Sequence, residues 1–152
     1  DAAKDGVDSI LVTDLPPEEA KEFRSALHDS GIGLVFLLSP TSSSDRVRLV
    51  DRMSDGFIYY VSTTGVTGAR TELDSRLLDR LDEIREKVRR PLAVGFGVSK
   101  PEHHQALSAR CSAVVVGSAI VRAIAGGDPA GAASRAARVV EAILSKEVIS
   151  HD

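Results

Sequence analysis

The sequence predicts an α/β fold in which a parallel sheet is covered by helices. Three observations carry that prediction. Short apolar, β-branched runs alternate with longer segments of helical periodicity, five times over. The apolar runs are continuous, not alternating, which is the pattern of strands buried on both faces. Gly, Ser, Thr and Asp gather where each run ends, at the C-terminal edge of the sheet. Two closed arrangements satisfy these facts, a doubly wound sheet or a (β/α)8 barrel, and both place active sites at that edge.

The elements follow in order. Ser9 to Thr13 reads as a buried strand ended by Asp14 and a turn. Pro16 and Pro17 pre-set φ for a helix start, and Glu18 and Glu19 suit its first turn. Ala20, Phe23, Ala26 and Leu27 recur at helical spacing, and Ser30-Gly31 ends that helix. Leu34 to Leu38 is the second strand, left through Ser39, Pro40 and Thr41. Asp45 to Met53 is helical, with Val47, Leu49, Val50 and Met53 on one side. Phe57 to Val61 is the third strand. Leu73 to Val88 is an amphipathic helix with Leu77, Leu78, Leu81, Ile84 and Val88 inward. Pro91 to Val94 is the fourth strand. Ser99 and Glu102 are spaced as a capping box around Pro101, so a helix begins there. Ala113 to Val116 is the fifth strand, followed by a short helix over Ala119 to Ile124. Gly126-Gly127-Asp128-Pro129 breaks it, and Ala130 to Leu144 is the last helix.

Composition bounds the function. The 152 residues suffice for one domain with a real core. Aromatics are 4% and tryptophan is absent, so Val, Leu, Ile and Ala must fill that core. The net charge of −3 argues against non-specific binding to nucleic acid or to an anionic membrane. The one cysteine, Cys111, excludes an internal disulfide and is compatible with a reducing cytoplasm, the expected compartment. No apolar run approaches the ~20 residues of a membrane span. The opening DAAKDG reads like the tail of a helix already under way, so the chain is expected to be a piece of something longer.

Three strand ends are rich in glycine: Gly65-Val66-Thr67-Gly68, Gly95-Phe96-Gly97 and Gly117-Ser118-Ala119. A glycine lets a backbone N–H approach an anion with no Cβ in the way. Gly117-Ser118 also opens a helix, whose unpaired N–H groups and dipole favour a phosphate. Tight βα turns would use the same glycines, but three at one edge, one with Ser at a helix start, favour the phosphate. His103 and His104 are adjacent at a helix start, point ~100° apart and read as an exposed helix surface. Cys111 reads as a packing or surface thiol, Arg70 as a solvated loop cation and Arg138 as part of ordinary helical cladding. There is no P-loop, and Gly95-Phe96-Gly97 lacks the third glycine of a dinucleotide fingerprint, so no cofactor and no metal is expected.

The segments GFIYYVSTTGVTGAR, PLAVGFGVSKPE and AVVVGSAIVRAI resemble three signature segments of the tryptophan synthase α subunit family. DSILVTDLPPEE and FLLSPTSSSDR resemble its two preceding strand ends. The likeness runs along nearly the whole chain and matches only the family's C-terminal part, from the end of its third helix through its eighth. It implies a (β/α)8 TIM-barrel type of fold, here a single partial barrel domain over residues 1–152 with about five βα units.

The family cleaves indole-3-glycerol phosphate to indole and glyceraldehyde 3-phosphate, a carbon–carbon lyase reaction of tryptophan biosynthesis. The resemblance implies that Gly68, Gly97, Gly117 and Ser118 bind the substrate phosphate. It puts Thr67 in a mobile loop over the site and Tyr59 near the substrate. Phe96 and Val98, with Leu11, Thr13 and Leu37, would line the indole pocket. Pro40 to Ser44 would fall near a partner, the tryptophan synthase β subunit. The family's two catalytic carboxylates lie in its N-terminal part, and no position here matches them. Asp14 matches a family acid at this strand end, where it would support or meet an interface; an Asx-type turn before Pro16 explains it equally. The chain alone is therefore expected to be inactive. The alternative is a non-catalytic, phosphate-ester-binding partial barrel that needs a complementing N-terminal segment.

Overall fold

The structure, a computed structural model, describes residues 1–62, 75–95, 98 and 100–145. The strands are β1 (Ser9–Leu11), β2 (Gly33–Val35), β3 (Leu37–Leu38), β4 (Ile58–Val61), β5 (Leu92–Gly95) and β6 (Ala113–Val115). The helices are α1 (Lys21–Asp29), α2 (Ser44–Met53), α3 (Ser75–Arg85), α4 (Pro101–Ser108), α5 (Ser118–Ala125) and α6 (Ala132–Leu144). Every pairing is parallel, in the order β1-β2 and β3-β4-β5-β6. β2 and β3 are two parts of the run expected as one strand. Phe36 separates them, and its carbonyl accepts the Tyr59 N–H at 3.1 Å. The first part pairs with β1 and the second with β4, so one run hands the hydrogen bonding from one neighbour to the next.

Side-chain parity decides where the core lies, because successive residues of a strand point to opposite faces. Leu34, Phe36, Leu38, Ile58, Tyr60, Leu92 and Val94 form one row, and all are buried in a single cluster with the helices. Ile10, Val12, Val114 and Val116 pack against the same cluster from the outer strands. The opposite row is different. Val35 and Ala93 are buried outside that cluster, Leu37, Tyr59, Val61 and Gly95 are half-buried, and Leu11, Ala113 and Val115 are exposed. Continuous apolar runs imply strands buried on both faces, but among the described residues only the helix side is fully covered.

The helices are amphipathic as their spacing demands. Val47 and Val50 of α2 and Leu77, Leu81 and Ile84 of α3 are buried, and Leu78, Met53 and Val88 pack against them from the margin. Ser43 caps α2, its side chain accepting the Arg46 N–H at 3.2 Å. Three local expectations are corrected. Pro16 and Pro17 form a turn of their own, closed by Glu19 N–H to Pro16 O at 3.0 Å, and α1 starts later, after Ala20. The fixed φ of proline suits a turn as well as a helix start. Phe23, expected inward, is 42% exposed, because the shifted α1 turns Ala20 and Leu27 to the core instead. The α4 cap position is Lys100, which supplies no side-chain bond, and not Ser99, which lies outside the described residues. Pro101 takes the first helical position, where a missing N–H costs nothing.

The N-terminal edge of the sheet is tied by two aspartates. Asp51 of α2 accepts the backbone N–H groups of Arg89 and Arg90, at 2.9 and 3.1 Å, and so fixes the approach to β5. Asp55 accepts from Arg24 Nη2 at 2.8 Å and Nε at 3.2 Å, from His28 Nε2 at 2.8 Å and from the Leu34 N–H at 3.1 Å. It thereby joins α1, β2 and the approach to β4. Partial burial pushes its pKa up, but the bonds from Arg24, His28 and Leu34 outweigh that and hold the carboxyl well below the usual carboxylate range. A depressed folded-state pKa gives stability that is present above the unfolded value of ~3.9 and is lost as pH falls below it. Asp55→Asn should therefore lower stability by about 2 kcal/mol at pH 7, as charge-assisted bonds are lost. Urea unfolding from pH 7 to pH 3 should show the gap between variant and parent narrowing only below about pH 4.

Candidate functional site

Three of the expected pocket residues share the inner face. Leu11 ends β1, Leu37 opens β3 and Tyr59 lies in β4, directly paired with Leu37 on one side and Ala93 on the other. Thr13 lies in the turn that follows β1. Thr13 and Leu37 line a cavity of about 610 Å³ at the C-terminal edge, together with Asp14, Phe36, Ser39 and Arg46. Tyr59 lines a separate apolar hollow of about 400 Å³, with Phe57 and Pro91 from the strand starts and Ala93 and Val115 from β5 and β6.

Tyr59 reaches its place because β5 ends in glycine. A Cβ on Gly95 would lie 2.1 Å from the Tyr59 hydroxyl and 2.6 Å from Cζ. The ring therefore lies across the Gly95 backbone, slanting from its register partner Ala93 toward the C-terminal edge. The requirement at this glycine is close approach of a ring.

Gly117 and Ser118 also sit at this edge. β6 ends at Val115, and α5 begins at Ser118 with Gly117 as its cap residue. The first turn of the helix leaves its N–H groups without intrahelical partners, and the Val121 N–H is the first to close on Gly117, at 3.0 Å. A Cβ added to Gly117 would meet no atom within 4 Å, and its φ of −117° is open to any residue. Among the described residues, nothing occupies the Cβ position of Gly117 at this helix start.

Arg135 of α6, whose specific role its sequence context did not signal, holds the far end of α5. Its Nε donates to Ala123 O at 2.7 Å, and its Nη2 donates to Ile124 O and Asp128 O, both at 2.9 Å. The last carbonyls of α5 are satisfied by a cation, which also suits the helix dipole. Gly131 makes room for it, since a Cβ there would lie 2.7 Å from Arg135 Nη1.

Other expected residues fall as follows. Val98 is almost wholly buried in the helix–sheet core and lines none of the described cavities. Gly68, Thr67, Phe96, Gly97 and Arg70 lie outside the described residues. Asp14 is exposed beside the larger cavity, and its carboxylate closes no side-chain hydrogen bond among the described residues. Pro40 to Ser44 is partly exposed. Ser42 Oγ accepts the Ser39 N–H at 3.0 Å, and Arg80 Nη2 donates to the Ser42 carbonyl. His103, expected on an exposed helix face, is buried, because it lies one turn from the buried Leu107 on α4. Cys111 is half-buried; its Sγ–H donates to Leu107 O at 3.1 Å, and burial pushes its thiol pKa up. Among the described residues no three His, Cys, Asp or Glu side chains form a metal-holding group, and no helix is long and apolar enough to cross a membrane.

Comparison with known proteins gives concordant results. The sequence model of the family described as tryptophan synthase alpha chain matches residues 1–148. The tryptophan synthase alpha chain of Geobacter sp. (strain M21) is 52% identical over 122 residues, which are 80% of this chain and 46% of that relative. That of Citrifermentans bemidjiense is 51% identical over the same length. The chain thus spans about half the length of the curated relatives it matches. Among solved structures, the tryptophan synthase A-subunit of Pyrococcus furiosus superposes with a TM-score of 0.82 at 39% identity, covering 94% of this chain and 57% of that one. The α2β2 tryptophan synthase complex of the same organism gives a TM-score of 0.85 at 41% identity, covering 94% and 58%.

The geometry at Gly95 has a direct test. Gly95→Ala should displace the Tyr59 ring from the strand end, because Cβ and the hydroxyl cannot share that space. Overpacking of this kind costs roughly 1–3 kcal/mol. Near-UV circular dichroism and the Tyr59 ring resonances should change, while secondary structure stays intact.

Proposed function

The chain belongs to the tryptophan synthase alpha chain family and forms a partial (β/α)8 barrel, and from that premise we propose that it is the phosphate- and indole-binding part of a lyase that cleaves indole-3-glycerol phosphate. The observation that carries the reading is a convergence at one edge of the sheet. A helix start at Gly117 and Ser118 shares that edge with the inner-face row of Leu11, Leu37 and Tyr59. A phosphate ester with a flat apolar group has the same two-part shape. The N–H groups of the first turn of α5 would take the phosphate oxygens, joined by Gly68 and Gly97. Tyr59, Thr13, Leu37 and Leu11, with Phe96, would enclose the indole, and Val98, buried in the helix–sheet core, would back the pocket and not line it. Thr67 would belong to the loop that folds over the bound ester.

The cleavage needs a group to protonate the indole ring and one to assist at its nitrogen, so that the ring leaves as indole and the glycerol part as glyceraldehyde 3-phosphate. No residue here matches the family's Glu and Asp for those two tasks, and Asp14 serves as support at most. The carboxylates come in this reading from the βα units that precede these five in the family pattern. Those units would also pair with the outer strands β1 and β6 and cover the exposed Leu11 and Val115. The Pro40–Ser44 segment would meet a β subunit, its backbone held ready by the Ser39–Ser42 and Arg80 bonds.

Two experiments test this. Indole release from indole-3-glycerol phosphate should stay near background for the 152-residue chain, since each acid–base group contributes typically ~10²–10⁴-fold. It should appear when the preceding three βα units are supplied in trans; robust turnover by the chain alone would overturn the account. In the complemented protein, Gly117→Val should keep the fold, because its Cβ meets no atom within 4 Å, yet weaken glycerol 3-phosphate at least tenfold. Ser118→Ala keeps its N–H and should cost only about 1 kcal/mol. Unchanged affinity in Gly117→Val would sink the phosphate assignment.

A further inference from the structure

At the edge of the sheet opposite this site, the α3–β5 and α4–β6 connections enclose a cleft of about 370 Å³. Arg85, Arg89, Arg90 and Arg110 line it, with Ser108 and Ser112 between them. Four arginines line one cleft, Arg85 and Arg89 exposed and Arg90 and Arg110 half-buried, in a chain whose net charge is −3, so overall basicity does not account for them.

Only one of the four has its charge answered by a carboxylate among the described residues: Arg110 Nε donates to Asp82 at 3.0 Å. Arg85 Nη1 is tied to the Ala109 carbonyl at 2.8 Å and Arg90 Nε to the Asp51 carbonyl at 3.0 Å. These bonds orient the two side chains, leave the rest of each fork of N–H donors unused and do not neutralise either charge. Asp51 Oδ1 accepts the Arg89 and Arg90 backbone N–H groups, and among the described residues its carboxylate forms no ion pair with a guanidinium. The Arg89 guanidinium has no hydrogen bond or ion pair among the described residues. The cleft holds more arginine than paired carboxylate, and two of its four arginine side chains are oriented by carbonyls.

We propose that this cleft binds the diphosphate group of a small molecule. The planar fork of arginine matches phosphoryl oxygens in pairs. Three uncompensated forks call for more charge than a single phosphate monoester brings, and two linked phosphoryl groups supply it. The volume lies in the roughly 300–1,000 Å³ range of small-molecule sites. The site is separate from the one at Gly117 and Ser118, being at the N-terminal ends of β5 and β6 where that one is at the C-terminal end, and it does not rest on the proposed lyase reading.

Calorimetric titration of the whole chain with inorganic pyrophosphate tests the proposal. Pyrophosphate should bind at least tenfold more tightly than inorganic phosphate and more weakly as salt is raised, and glycerol 3-phosphate should not displace it. Arg85→Ala with Arg89→Ala should lower the affinity at least tenfold with the circular dichroism spectrum unchanged. Should that pair fail to fold, Arg89→Gln, which removes no bond seen among the described residues, should still lower it several-fold. A parallel titration with adenosine diphosphate separates the sources of the group: tighter binding than pyrophosphate marks a nucleotide, equal or weaker binding a diphosphate without a base, and either supports the cleft. No pyrophosphate binding at low millimolar concentration, full affinity in the folded variants, or displacement by glycerol 3-phosphate overturns it.

Discussion

A parallel strand carries two rows of side chains, and the whole arrangement depends on how this chain treats the two differently. The row that includes Leu34, Phe36, Leu38, Ile58, Tyr60, Leu92 and Val94 is buried against the helices and forms the one continuous core. Burial of this kind stabilises by roughly 25 cal/mol per Å² of apolar surface and supplies most of the driving force for folding. With that row committed to the helix layer, the other row is left for function. Leu11, Leu37 and Tyr59 belong to it through parity alone. A one-residue slip in any ladder would exchange the rows and bury the candidate pocket in the helix interface.

Register therefore has to be held, and the N-terminal edge does it. Asp55 gathers α1, β2 and the approach to β4 around one carboxylate, and Asp51 fixes the loop that enters β5. Neither lies near the C-terminal edge. The two edges thus divide the work as barrel proteins do, with polar ties on the side where strands begin and open loops on the side where they end. The helix-facing row carries one polar group, on Tyr60. Its hydroxyl is buried without a hydrogen-bond partner among the described residues, and burial raises its pKa. The neighbouring Tyr59 instead stays half-exposed over Gly95.

Much of this was legible in the sequence, and the reasons are specific. The five strand runs, the inward residues of α3, Val47, Val50 and Met53 of α2 and the helix start at Gly117 follow from periodicity and from glycine placement, which are local signals; Leu49, expected on the same side of α2, is not part of the core. What could not be read was set by distant partners. Phe23 fits a helical stripe, but the double-proline turn delays α1 and turns that residue outward. His103 looked like a surface residue because two adjacent histidines suggest exposure, yet the helix phase fixed by Leu107 puts it inside. Ser99 and Glu102 have capping-box spacing, but the cap position fell to Lys100. Asp55 lies 31 residues from Arg24 and 27 from His28, so no spacing rule joins it to them. The resemblance to a known family named Leu11, Leu37 and Tyr59 together, and parity supplies the physical reason that they share a face.

Arg135 shows how the helix start at Gly117 is held from its far end. A helix N-terminus presents useful N–H groups only if the helix axis is fixed, and an eight-residue helix with no fully buried residue has little packing to fix it. Val121 and Ile124 of α5 are exposed, and Ala119, Ile120 and Ala123 are half-buried, so its packing is only partial. The anchor is polar: one guanidinium satisfies two carbonyls in the last turn of α5 and a third at Asp128, and Gly131 leaves it the space. The glycine-rich break that reads as a simple helix stop is thus also the seat of the arginine that aims α5. The donors at Ser118 and the cation at Arg135 stand at opposite ends of one short dipole, and the phosphate-facing end keeps its direction because the other end is bonded.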